Sequence, residues 1–226
     1  MVSQSDLAFI ESFATLTLKD EEPIQNNPDM LRDLLNSSGN VHFTWDLKNY
    51  GKEAYKLVDL EQTSSEYCRI KQSFDLSMKK RYTVTKIRVE NPYLLVQYNL
   101  KKWHKQSKYV GCVERQLFHG TSKHNIEQIC CFNFNWRLAG NCVGHRFGRG
   151  ISFCAIINVF QSLPKKLPLP QRIMFVVDVL IGSSCIGSPL MTIPTGSCDT
   201  SQKPDGQVIV KYEDNDFYPK YIITYS

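Results

Sequence analysis

Apolar positions near the start of the chain recur at helical spacing. In SDLAFIESFATL, Leu7, Phe9, Ile10, Phe13 and Leu16 follow an N-cap serine, Ser5. NPDMLRDLLNSSGN predicts a second short helix, with Asn27 as cap, Pro28 in the first turn and a polar stop at 36–40. VHFTWDL alternates like a strand. From about Tyr55 the pattern turns to mixed α and β. EQTSSEYCRIKQSFDLSM predicts a helix with Tyr67, Ile70 and Phe74 facing inward. RYTVTKIRVE is rich in β-branched residues and predicts a strand, but Tyr82 and Val84 share one parity and Ile87 and Val89 the other. A bulge near Thr85 would reconcile the two. NPYLLVQYNLKKWHK predicts a helix capped by Asn91 with Pro92 at its first position, RQLFHGT a short strand, and SKHNIEQICCF a helix with Ile126, Ile129 and Cys130 on one face. RIMFVVDVLIG predicts a buried strand, and DGQVIVKY and PKYIITYS two more, joined by the polar turn EDND. Irregular stretches run over 138–148, 161–171 and 182–206. Loops of this length in a compact domain are usually functional. The expected fold class is α+β, with residues 1–50 an N-terminal extension and 55–226 one domain.

Composition narrows this picture. The 226 residues are 42% apolar, enough for a core. No run is long enough to span a bilayer: the apolar stretch from Ile173 to Ile181 is broken by Asp178. MVSQSDLAFIES has neither a basic start nor a continuous apolar stretch, so no secretory signal and no membrane partner are expected. Eight cysteines without such a signal favour free thiols inside the cell, in cytoplasm or nucleus, over a disulfide scaffold. Cys142 and His145 have a C-x-x-H spacing, but no second C-x-x-C pair accompanies them, so no metal is expected. The net charge is +5 and uneven, with nine Lys or Arg and one acidic residue, Glu90, between Lys79 and Lys108. A solvated face is the favoured reading of this stripe, with weak RNA contact as a minor alternative. LPKKLPLP, at 163–170, is expected to be an exposed Pro/Lys loop rather than a polyproline ligand.

FGRGISFCA, at 147–155, poses a separate question. Gly148 and Gly150 give a G-x-G, but a dinucleotide fingerprint needs a third glycine, and Cys154 and Ala155 stand there. By itself the stretch predicts a tight turn feeding a strand. Taken with ERQLFHGTS, NIEQICCFNFNWRLAG, RIMFVVDVLIG, SCD at 197–199 and VIVKYEDNDFYPKYIITY, it resembles the catalytic domain of the poly(ADP-ribose) polymerases, the diphtheria-toxin-like ADP-ribosyltransferases. EYCRIKQSF and VENPYLLVQYNLKKW resemble the region just before that core, so the likeness covers about 55–226. The branch it resembles most is the mono-ADP-ribosyltransferase branch with CCCH-zinc-finger and WWE-domain members, including the zinc-finger antiviral protein.

The resemblance implies two facing antiparallel β-sheets with flanking helices and NAD as the substrate, with ADP-ribose passing to a protein acceptor in a pentosyl transfer. The glycosidic bond breaks through an oxocarbenium-like transition state, so the site must hold nicotinamide, orient the ribose and stabilise charge only where it develops. It further implies that Gly120 and Thr121 border the nicotinamide, that His119 binds a ribose hydroxyl, and that Gly150 and Phe153 help to shape the wall. In the family a tyrosine two residues after the second glycine stacks on nicotinamide, and here that position is Ser152. Its partner tyrosine, eleven residues on, falls at Leu163. The glutamate of chain-elongating members falls at Val208. The triad positions therefore read His119, Ser152 and Val208. Absence of the glutamate excludes elongation but not single transfer. Absence of two ring faces is costlier, at ~0.5–1.5 kcal/mol per stack beyond the area buried. The expectation is a pseudoenzyme or interaction module, with a weakly active mono-ADP-ribosyltransferase as the alternative.

Overall fold

The computed structural model describes residues 28–37, 45, 53–78, 84–138, 146–156 and 172–225. The expectations for 5–16, for the Asn27 cap, for most of VHFTWDL, for the 163–170 loop, and for Leu163, Cys142 and His145 lie outside these residues. Helix α1 (Pro28–Ser37) is followed by β1 (Lys56–Asp59), α2 (Ser65–Ser77), β2 (Val84–Glu90), α3 (Pro92–Lys108) and β3 (Val113–Thr121). Next come a 3₁₀ turn (Lys123–Asn125), α4 (Ile126–Phe132) and β4 (Ile151–Cys154). Strands β5 (Arg172–Ile181), β6 (Ser184–Ile186), β7 (Thr200–Gln202), β8 (Val208–Lys211) and β9 (Phe217–Tyr225) complete the order.

The helices start where the sequence supplies caps. Ser64 accepts the Tyr67 N–H at 3.1 Å at the head of α2, and Asn91 accepts the Leu94 N–H at 3.0 Å at the head of α3. Asn91 also donates to the carbonyl of Cys130 at 2.9 Å, so one side chain ties α3 to the end of α4. Tyr67, Ile70 and Phe74 are buried, as the helical spacing predicts.

The strands run in the order β1-β2-β9-β5-β3-β4-β8-β7-β6. Every ladder is antiparallel except β6 with β7. One residue pair, Phe118 with Cys154, joins β3 to β4. The two halves fold towards each other across this narrow link. In a flat sheet β4 and β9 would be about 14 Å apart, three strand spacings. Yet the rings of Phe153 and Phe217 are 5.5 Å apart. Phe134 fills the space between the halves, 5.5 to 5.6 Å from the rings of Phe153, Phe175 and Phe217. The halves thus face one another across an aromatic core, the α+β architecture expected.

Three details differ from the sequence reading. First, β2 has no bulge, since its register with β9 is continuous from Val84 to Arg88. The parity conflict arises because Lys86, 1% exposed, holds an interior position beside Val84. Its ammonium lies 3.5 Å from the centre of the Tyr67 ring and donates to the Tyr67 carbonyl at 3.1 Å. Second, 182–206 is not wholly irregular, because it contains β6 and β7. Third, among the described residues most cations of the basic stripe are not on a solvated face, although Lys108 is exposed. Lys86 and Lys105 are buried, Arg88 pairs with Glu66 and Glu90, Lys101 with Glu213, and Lys102 with Glu114.

Candidate functional site

His119, Ser152 and Val208 lie on the neighbouring strands β3, β4 and β8, with the His119 ring on the aromatic-core side and the Ser152 and Val208 side chains on the opposite face of the β4–β8 ladder. On β3, Leu117 faces the main aromatic core while Phe118 faces a second cluster with Ile70 and Phe74 under α2. His119 follows on the Leu117 side, with its ring 5.0 Å from that of Phe134 and 5.7 Å from that of Phe153. Its Nδ1 lies 3.0 Å from the Ser152 carbonyl oxygen. A carbonyl only accepts, so Nδ1 carries the proton and Nε2 of the neutral ring carries the lone pair. Burial lowers the His119 pKa, and the bond to Ser152 offsets this in part. A neutral ring with an accepting Nε2 can take a hydrogen bond from a hydroxyl. Thr121, at the end of the strand, accepts from Asn125 at 3.1 Å.

The β4–β8 register pairs Ser152 with Val210 and Cys154 with Val208. These four side chains share one face of the ladder, while Ile151, Phe153 and Ile209 face the aromatic core. Cys154, Val208, Val210 and Tyr212 form a separate buried apolar cluster, with Phe147 against it. The positions of Ser152 and Val208 therefore offer one hydroxyl and no carboxylate or ring. Burial pushes the Cys154 thiol up to about 12, as befits an inert structural cysteine.

The glycine pair is occupied by the protein itself. Gly148 has φ +132°, and a methyl group there would collide with the Tyr212 hydroxyl. A methyl group at Gly150 would collide with the Lys211 carbonyl of β8. The Tyr212 hydroxyl is 2.5 Å from Ser201 Oγ, which in turn donates to the Phe147 carbonyl at 2.5 Å. That donation leaves Tyr212 as donor to Ser201. Close backbone approach, rather than a phosphate, thus accounts for both glycines.

Behind β8 lies a cluster of charges that sequence reasoning did not find. Asp199 pairs with Lys105 of α3 and with Lys211 at 3.1 Å. Asp216 bridges the same two lysines at 2.7 and 2.9 Å. All four residues are at most 3% exposed. Asp199 also accepts the Ser183 N–H at 2.9 Å and the Thr200 hydroxyl at 2.9 Å. Burial pushes its carboxyl upward, but the Lys211 and Lys105 charges overcome this and hold it well below the carboxylate range. Two cations and two anions compensate one another and fasten α3, β7, β8 and the turn before β9 together. A signal was present in the sequence: Lys211 interrupts an apolar strand, and Asp199 lies in the SCD motif.

Two surface concavities stand out among the described residues. One is lined by Cys68, Lys71, Gln72, Asp75 and Leu76, the other by 53–58 and Cys131, and neither borders His119. No group of three or more metal-ligating side chains converges among the described residues. No described helix is long and apolar enough to cross a membrane.

Residues 64–193, more than half of the chain, match the poly(ADP-ribose) polymerase catalytic domain. The chain belongs to that family. Among its relatives is the mouse protein mono-ADP-ribosyltransferase PARP12, 31% identical over 195 residues, which cover 80% of this chain and 27% of that protein. Mouse protein mono-ADP-ribosyltransferase PARP11 is 30% identical over 203 residues, 76% of this chain and 60% of that protein. The mouse zinc finger CCCH-type antiviral protein 1 is 33% identical over 97 residues, 43% of this chain and 10% of that protein. The chain thus spans about a quarter of PARP12 and somewhat under two thirds of PARP11. It carries the ADP-ribosyltransferase fold of a family whose transferases use NAD as substrate.

Proposed function

We propose that this chain is a poly(ADP-ribose) polymerase-family domain with a degraded NAD site, kept as a pseudoenzyme or protein-interaction module. The observation that carries the reading is the β4–β8 face, where Ser152 and Val208 stand at the tyrosine and glutamate positions among the apolar side chains of Cys154, Val210 and Tyr212. Two lost ring stacks, with the area they bury, weaken NAD by roughly a hundredfold at ~1.4 kcal/mol per decade. The domain takes in 55–226, and 1–50 is an extension whose described helix, α1, packs through Leu35 against Leu94, Leu95 and Tyr98 of α3. In this reading His119, Gly120, Thr121, Gly150, Ser152 and Phe153, with Leu163 from the adjoining loop, are the remnant of the pocket. The free thiols of the described cysteines support a place inside the cell.

The alternative is a slow protein mono-ADP-ribosyltransferase. The retained His119, neutral with an accepting Nε2, favours it. Both readings deny chain elongation, because Val208 has no carboxylate. RNA contact through 79–108 is the weakest reading, since the described cations there named above are already paired with carboxylates or buried. The two main readings separate on incubation with biotinylated NAD beside a heat-killed control. The pseudoenzyme reading predicts equal, background labelling. Labelling above the control, lost in His119→Ala, makes the protein a mono-transferase.

A further inference from the structure

Cys185 lies in β6, and Cys198 lies just before β7. The two strands are parallel, with Cys185 opposite Ser201. Before β7 the chain folds back onto β6, since the Asp199 and Thr200 N–H groups both donate to the Ser183 carbonyl, at 3.0 and 3.2 Å. This turn brings Cys198 Sγ within 3.9 Å of Ser183 Oγ, while Cys185 Sγ lies 3.7 Å from the Thr200 carbonyl oxygen. Each sulfur thus reaches across to the chain segment that carries the other. Both cysteines are free and partly exposed, whereas Cys130 and Cys154 are buried.

The segment between the two cysteines, 186–197, bears on the glycine loop. The Met191 carbonyl accepts the Arg149 N–H at 2.8 Å, between Gly148 and Gly150. Gly187 packs so closely on the Phe147 carbonyl that a methyl group there would collide with it. Ile186, Leu190 and Ile193 of this segment are exposed, so few apolar contacts hold it down.

We propose that Cys185 and Cys198 are a dithiol modification site, whose oxidation by a peroxide locks segment 186–197 against the Gly148–Gly150 loop. One thiolate attacks hydrogen peroxide, takes up one oxygen as sulfenic acid, and water leaves. The second thiol attacks that sulfur, the S–S bond forms, and the sulfenic oxygen leaves as a second water. Two thiols and one peroxide give one disulfide and two waters, and the two electrons pass from sulfur to peroxide. A small-molecule thiol reverses the reaction by exchange. The inference stands whether or not NAD binds, because it concerns the loop and its thiols alone.

The test treats the intact chain with hydrogen peroxide, blocks remaining thiols and maps the peptides by mass. The expected product is a Cys185–Cys198 cross-link lacking two hydrogens, with exposed Cys68 still available for alkylation and full reversal by dithiothreitol. Cys185→Ser and Cys198→Ser each abolish the cross-link, and each leaves a sulfenic acid that dimedone traps at the remaining thiol. Hydrogen exchange of the Arg149 amide slows severalfold on oxidation in the wild type and in neither variant. Cross-linking to Cys68 or between chains in place of this pair overturns the site. A correct cross-link with unchanged Arg149 exchange overturns the lock.

Discussion

Gly148 combines a φ of +132° with a void that the Tyr212 hydroxyl fills. Gly148→Ala therefore meets both backbone strain and a collision, and we expect a loss of at least about 2 kcal/mol in urea unfolding. In a Tyr212→Phe background the worst collision is removed, leaving the strain and the tight approaches of Ser201 Oγ and the ring, so the same substitution costs less. Equal costs in the two backgrounds would show that Tyr212 is not what Gly148 accommodates. His119 allows a pH test. Its folded pKa lies below the ordinary 6.5 because of burial. A depressed pKa means that the unfolded chain binds the proton more readily, so the stability is present above about pH 6.5 and is lost as pH falls through the folded value. His119→Gln should flatten that part of the acid-side decline in denaturation midpoints, and an unchanged slope would contradict the partly buried neutral ring.

At the scale of elements, β2 and β8 show what charge does inside a sheet. Asp199→Asn leaves Lys105 and Lys211 sharing Asp216, with only the half-exposed Glu213 near Lys105 besides, and breaking a buried pair in this way costs about 3–5 kcal/mol. Chemical denaturation measures the loss, and one of under about 1 kcal/mol would mean that the cluster is well solvated. Lys86 behaves in the opposite sense. Burial lowers its ammonium to about 8. For a lysine with a lowered folded pKa, the unfolded state binds the proton more readily, so stability rises with pH from about 8 towards the ordinary 10.5. Lys86→Met should thus match or exceed wild-type stability at pH 7, with its advantage shrinking as pH is raised to 10. These two strands also mark where the sequence was legible and where it was not. The cap at Asn91 acts locally, within three residues, and was placed from the sequence, whereas the helix capped by Ser64 was read from Glu61 without naming its cap. The apolar run of β5 is buried from Met174 to Ile181, as its composition implied. The partners of Lys105 lie 94 and 111 residues away, so a single sequence marks Lys211 and Asp199 as unusual but not which residues they pair with. The β2 parity conflict was visible, but a bulge and a buried lysine leave the same pattern in sequence, and only the cover supplied by α2 decides between them.

At the scale of the whole molecule, the chain carries the ADP-ribosyltransferase fold, and the proposal is that its NAD site is altered. The resemblance named His119, Ser152 and Val208, and these lie on β3, β4 and β8, which are neighbours in the sheet. The resemblance did not indicate that Tyr212 and the Lys211 carbonyl fill the space beside the glycine pair, because that packing depends on the fold of the two half-sheets. The central claim is that this fold no longer holds NAD usefully, and thermal melting of the wild-type protein in a large excess of NAD tests it most directly. A ligand at about a hundred times its Kd stabilises the folded state by ~2.7 kcal/mol, a shift of several degrees for a domain of this size. We predict no shift at millimolar NAD for the wild type, and a shift for Ser152→Tyr/Leu163→Tyr that His119→Ala removes. A rise of several degrees in the wild type would contradict the account and make the protein an NAD-binding mono-ADP-ribosyltransferase.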